Sequence, residues 1–222
     1  MLNNILESLK QKSNSSVIKR YEKLNEPKPY YGVLKGEINK IAKNYAPNNK
    51  LAIELWETKN LDAQILSINI FDYKTITKDD IEKVLEYTDS MTSKIMFVEK
   101  IIASSNLSEY YRVKLSSSED IYTQSLGWRL NVKYLSTKKV SSKEIDEILE
   151  YIELNLLLVD EPLKWAMNYC LVTIALSYSE YLNKCLDLSK KLGVYKDQKV
   201  SKGCTSAYAP DWISAVLKRK DK

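Results

Sequence analysis

The chain contains no histidine. Ser-His-Asp and Cys-His nucleophilic mechanisms are thereby excluded, and the commonest protein metal ligand is removed. Glycine and proline number only five each. An all-β chain of 222 residues would need many more tight turns, so this scarcity selects long helices with short connections. Cysteine is equally sparse: Cys170, Cys185 and Cys204 are odd in number, widely spaced and form no C-x-x-C pair. A disulfide framework or zinc site is disfavoured, and a reducing compartment fits best. No apolar run approaches the length of a membrane span, and the opening MLNNILESLKQK lacks a signal-peptide core. The expectation is a cytoplasmic protein with no membrane partner, metal or cofactor.

What is present is an ordinary soluble balance, 44% apolar and 28% charged, with a net charge of +5. The charge is unevenly placed. Residues 184–222 carry ten Lys or Arg against four acids, whereas residues 1–183 are nearly neutral. A basic C-terminal segment, residues 194–222, makes nucleic acid a plausible partner, although solubility would explain the charge equally well.

Helical periodicity runs through the whole chain. ILESLKQK and VIKRYEKL read as amphipathic helices, and the Pro-rich EPKPYYGV (26–33) reads as a loop. GEINKIAKNYA places Ile38, Ile41, Ala42 and Tyr45 on one face, and NKLAIELWET, LDAQILSINIFDY, DDIEKVLEY, SMTSKIMFVEKIIASS and YTQSLGWRLNVKYL follow. SKEIDEILEYIELNL starts at a Ser-x-x-Glu signature, Ser141 to Glu144. EPLKWAMNYCLVTIALSY, SEYLNKCLDLSKKLG and PDWISAVLKRK complete the series. More polar helices alternate with more apolar ones that begin near Asp62, Asp89, Tyr122 and Leu163. This is the pattern of stacked helical pairs, each burying one helix between its neighbours. The expectation is an all-α chain, a degenerate α-solenoid forming a single domain over residues 1–222. An irregular helical bundle is the rival that periodicity leaves open.

Several of these segments resemble one family. YYGVLKGEINKIAKNY is similar to the segment that opens the AlkD-type DNA alkylation repair glycosylases, which are built from HEAT-like repeats. LAIELWETKNLDAQILSINIFD resembles a helical pair of that family, TDSMTSKI the segment with its key Asp, and LKWAMNYCLVTIA a later helix. SKGCTSAYAPDWISAVLKRK resembles the ending of one branch. The likeness spans roughly residues 17–219. It implies a curved α-solenoid of HEAT-like pairs around duplex DNA and the excision of cationic N3- or N7-alkylated purines, a hydrolase activity that needs no histidine.

The resemblance places the catalytic carboxylate at Asp89. There it would stabilise the oxocarbenium-like sugar by about 4 kcal/mol at 4 Å and an effective dielectric near 20. Read locally, Asp89 is simply the cap of a helix beginning near Ser90. The family's other site residues are only partly kept. An aromatic one turn before the Asp is Leu85 here, its Arg aligns with Gln124, and its Trp corresponds to Tyr169. Trp165 lies one turn before Tyr169, so the two share a face as a stacking pair or as core. Tyr30 and Tyr31, on the Pro-flanked loop, are candidates for exposure to DNA. Lys94, Arg129 and Lys133 are candidates for phosphate contacts, whereas Lys218, Arg219 and Lys220 also satisfy a helix dipole. The expected partner is duplex DNA, alkylated or branched, bound by a monomer. The alternatives are a non-catalytic binder of branched or damaged DNA and a protein-binding scaffold.

Overall fold

The computed structural model describes residues 1–87, 89–201 and 203–220, and of Lys220 the backbone alone. All regular secondary structure among the described residues is helical. The chain divides into two compact units, Met1–Glu109 and Tyr110–Lys222.

The first unit contains α1 (Leu2–Gln11), α2 (Ser15–Lys23), α3 (Lys35–Ala42), α4 (Asn49–Glu57), α5 (Leu61–Ile68), α6 (Lys78–Glu86) and α7 (Met91–Lys100). Helix α5 is its centre. Every residue from Leu61 to Ile68 is buried, and α1, α3, α4 and α7 pack around it. That burial explains why LDAQILSI shows no solvent-facing polar stripe: a helix enclosed by neighbours has no solvent face, and even Asp62, Gln64 and Ser67 are buried. Caps set the boundaries. The side chains of Asn14, Asn48, Asn60 and Ser90 accept backbone N–H bonds at the starts of α2, α4, α5 and α7. Thr77 and Asp80 form a reciprocal capping box on α6.

The second unit holds α9 (Ile121–Ser136), α10 (Ser142–Asn155), α11 (Leu163–Ser177), α12 (Leu182–Leu192) and α13 (Ala209–Lys220). Most of α8 (Ser108–Ser116) also belongs here. Helices α9 and α11 form its spine, and α10, α12 and α13 pack on α11. The expected Ser141–Glu144 box is formed. The alternation of polar and apolar helices is thus the alternation of outer and buried elements, with α5 and α11 the most enclosed. Helix α8 escapes sequence periodicity because only Tyr111 and Leu115 of SEYYRVKLS are buried, too few to mark a stripe. Its partner α9 approaches closely through Gly127, where an added Cβ would lie 2.1 Å from the Ser116 backbone nitrogen.

Candidate nucleic-acid interface

In the first unit, a buried polar framework fixes the loop of residues 26–33 and the start of α7. Asp62, on α5, is fully buried. Its Oδ2 accepts from the backbone N–H groups of Tyr31 (2.7 Å) and Gly32 (2.8 Å). Its Oδ1 accepts from Val33 N–H (2.9 Å) and the Tyr21 hydroxyl (3.1 Å). Three convergent N–H donors replace the water that a buried carboxylate would otherwise lose. Gly32 makes this possible: its φ of +75° is strained for any other residue, and a Cβ would meet Ile18 Cγ1 at 2.4 Å. Burial, and then the adjacent Asp62 charge, push the Tyr21 hydroxyl pKa well above the usual tyrosine range.

The loop therefore does not display its tyrosines freely. Tyr30 and Tyr31 are half-buried, and Tyr30 packs edge-on against Tyr21 with centroids 5.3 Å apart. At the start of the loop, the Glu26 carboxylate accepts hydrogen bonds from the hydroxyls of Ser90 (2.7 Å) and Thr92. The α7 start is also tied inward: Ser93 Oγ donates to Gln64 Oε1 (2.8 Å), and Gln64 Nε2 donates to Trp56 O (3.3 Å).

Asp89 sits immediately before this fixed point. Ser90, not Asp89, is the α7 cap, so the local reading of Asp89 as a capping residue is corrected. Its carboxylate is 72% exposed and forms an ion pair with Lys59 Nζ at 3.7 Å. Lys94 is half-buried on α7, and Leu85 is half-buried on α6. Glu26 also lines a cavity of about 330 Å³, together with Arg20, Lys35 and Thr92.

The second unit gathers aromatic rings around a cation. The Arg129 guanidinium lies over the Trp165 ring, 4.5 Å from its centroid. Trp165 meets Tyr169 at 5.2 Å, edge to face, and Tyr169 stacks on Trp212 at 5.0 Å and 25°. All four side chains are half-buried. Asn168, buried beside them on α11, donates from Nδ2 to Ala207 O (2.9 Å) and holds the segment leading into α13. The expected grouping of Trp165 with Tyr169 is therefore present, joined by Arg129 and by Trp212, which sequence reasoning did not single out. Trp212 lies 43 residues beyond Tyr169, and no local periodicity connects elements that far apart. Below Arg129, Cys170 donates from Sγ to Trp128 O (3.2 Å), and burial pushes its thiol pKa far up.

Gln124 is half-buried, and its Nε2 donates to Ser116 O at 3.3 Å, a helix-end contact. Lys133 is exposed on α9. Lys218 and Arg219 are exposed near the end of α13, where Arg219 reaches Thr205 Oγ1 at 3.4 Å; the Lys220 side chain lies outside the described residues. A cleft of about 380 Å³ between α10 and α12 is spanned by the ion pairs Lys184–Asp146 and Lys191–Glu153, each at 2.6 Å. No cluster of His, Cys, Asp or Glu able to hold a metal occurs among the described residues, and none of their helices is long and apolar enough to cross a membrane.

The chain as a whole is similar to proteins already known. A solved protein from a family related to the HEAT-like repeat DNA glycosylases, with affinity for branched DNA structures, matches at a TM-score of 0.84 and 26% identity. The match covers 99% of this chain and 94% of that one. The uncharacterized protein Lin0241 of Listeria innocua is 23% identical over 195 residues, 86% of this chain and 84% of that protein. The fold is accordingly that of the HEAT-like repeat proteins, in agreement with the helical pairs read from the sequence. The sequence model of the DNA alkylation repair enzymes matches residues 2–211, and the chain belongs to that family.

Proposed function

We propose that the protein binds DNA at branched or damaged sites, with the aromatic and cationic face of its second unit as the main contact. The observation that carries this reading is the cluster of Arg129, Trp165, Tyr169 and Trp212, three rings and a guanidinium left half-buried. Aromatic faces stack on bases that lack a pairing neighbour, at about 1–3 kcal/mol per base, and Arg adds phosphate attraction. The similar protein with affinity for branched DNA structures supports the same reading. Arg129→Gln and Trp212→Ala are each expected to weaken binding of a labelled four-way junction by about tenfold or more, read by fluorescence anisotropy. Unchanged affinity in both variants would refute this assignment.

A second reading, excision of cationic alkylpurines with Asp89 beside the sugar, is favoured by one observation. Asp89 is exposed next to a hydrogen-bonded helix start, with the exposed Lys59 as its ion-pair partner among the described residues. Magnitude ranks it second. In water a carboxylate 4 Å from a developing cation contributes about 1 kcal/mol, roughly fivefold in rate, against about 4 kcal/mol at an effective dielectric near 20. Asp89 would gain its catalytic strength only when bound DNA excludes solvent. Base release from an N7-methylguanine duplex, lost in Asp89→Asn, is the expected result; release undiminished in that variant would remove Asp89 from the chemistry.

A further inference from the structure

The cavity beside the α7 start differs in chemistry from the aromatic face of the second unit. Its wall is apolar, contributed by Tyr21, Val33, Ile38, Ile65 and Met96 from α2, α3, α5, α7 and the loop before α3. Charged side chains line it as well. Arg20 and Lys35 line it, with the Arg20 guanidinium 5.7 Å from the Tyr21 ring centroid. Lys100 is close enough that Lys35, after burial, helps lower its ammonium pKa. Arg20 and Lys35 thus bring two positive charges to the cavity lining, and Lys100, outside that lining, adds to the positive field nearby.

Glu26 supplies the opposite capability. Its oxygens accept from the Ser90 and Thr92 hydroxyls, which fix the carboxylate while leaving it lone pairs for a further donor. A purely aliphatic anion would bury Glu26 without giving it a donor, which costs free energy. A ligand that joins an apolar ring, an N–H group and a phosphate meets all three demands.

We propose that this cavity binds one deoxynucleotide, its base against the apolar wall, a base N–H on Glu26 and its phosphate on Arg20 and Lys35. The cavity volume of about 330 Å³ lies at the small end of ligand pockets, about 300–1,000 Å³, and suits a single nucleotide. The nucleotide is either free or an unpaired residue of a DNA strand; the second source rests on the DNA-binding reading above.

The test is calorimetric titration of the full chain with dAMP, with deoxyadenosine, with the N6,N6-dimethyl derivative of dAMP and with dodecanoate. Saturable dAMP binding is expected. Loss of the phosphate or of the amino hydrogens is expected to weaken it about tenfold or more, the scale of one hydrogen bond to a charged group. Arg20→Glu and Lys35→Glu, both at exposed positions, should weaken dAMP similarly and leave deoxyadenosine unaffected, with circular dichroism confirming the fold. No saturable dAMP binding, no effect of either charge reversal, or tighter binding of dodecanoate than of dAMP would overturn the proposal. A duplex with one unpaired adenine, compared with its fully paired form, separates the sources. Selective loss of the bulged duplex in Lys35→Glu assigns a strand nucleotide, and loss of dAMP alone assigns the free one. Junction affinity without dAMP binding refutes the cavity alone, and dAMP binding without DNA affinity refutes the DNA reading alone.

Discussion

Replacing Asp62 by asparagine removes a charge and one acceptor at constant size, and the consequence can be worked from four bonds. Oδ2 holds the N–H groups of Tyr31 and Gly32, and Oδ1 holds Val33 N–H and the Tyr21 hydroxyl. An amide offers one acceptor oxygen. If that oxygen takes the Oδ2 place, Tyr21 can rotate its hydroxyl to accept from the new NH₂, but the buried Val33 N–H is abandoned. The opposite flip abandons two N–H groups and is worse. An unsatisfied buried donor costs about 1–3 kcal/mol, and weakening the remaining charge-assisted bonds brings the total to about 2–4 kcal/mol. Asp62→Ala, which abandons all three N–H groups, should cost about 3–6 kcal/mol. Urea unfolding followed by circular dichroism measures the loss. Amide hydrogen exchange at residues 31–33 locates it, since these N–H groups should be protected in the unaltered chain and exchange faster in either variant. An Asp62→Asn protein within about 0.5 kcal/mol of the original would refute the reasoning.

Gly127→Ala should destabilise by at least about 3 kcal/mol, because its Cβ would meet the α8 backbone and cannot be accommodated by a side-chain rotation; a thermal melt within a degree of the original would contradict this. Iodoacetamide should label only Cys204 in the native state, since Cys170 and Cys185 are buried and burial raises both thiol pKa values, that of Cys185 to about 12. Mass spectrometry should count one adduct before denaturation and three after. The Glu144 carboxyl is held below the ordinary glutamate value, first by the Ser141 hydroxyl and then by the Tyr134 hydroxyl. Its folded pKa is depressed, so its contribution to stability is fully present above the ordinary glutamate range and disappears as pH falls through the folded value. Urea midpoints of Glu144→Gln and the original chain should therefore differ at pH 6 and converge toward pH 3.

Much of the fold was legible because helical packing writes itself locally. The mainly apolar α5 and α11 and the box at Ser141 can be read within one or two turns, whereas the box at Thr77 came from the structure. Helix α8 could not be read, since two buried residues make no stripe. The site was less legible because its parts meet through tertiary structure. Arg129, Trp165 and Tyr169 were each visible as candidates, but the contacts of the two rings with Trp212 depend on how α13 returns onto α11. Glu26 gave no signal at all: a single acid in a Pro-rich loop becomes notable only when Ser90 and Thr92, more than sixty residues later, bring their hydroxyls to it. Asp62 was visible only as a helix start, and its role emerges from three N–H groups about thirty residues earlier. Asp89 was singled out by resemblance alone, and its surroundings, exposed and paired with Lys59, are those of a surface carboxylate.

The measurement that tests the central claim most directly is the affinity of the unaltered protein for a four-way junction and for its linear duplex, across about 50–200 mM salt. Binding to the junction should be tighter at every salt concentration, because only unpaired or splayed bases engage the rings of Trp165, Tyr169 and Trp212. It should also weaken steeply with salt, by about two orders of magnitude over that range if about four phosphates are neutralised. Equal affinity for the two DNAs, or affinity for neither, would contradict it.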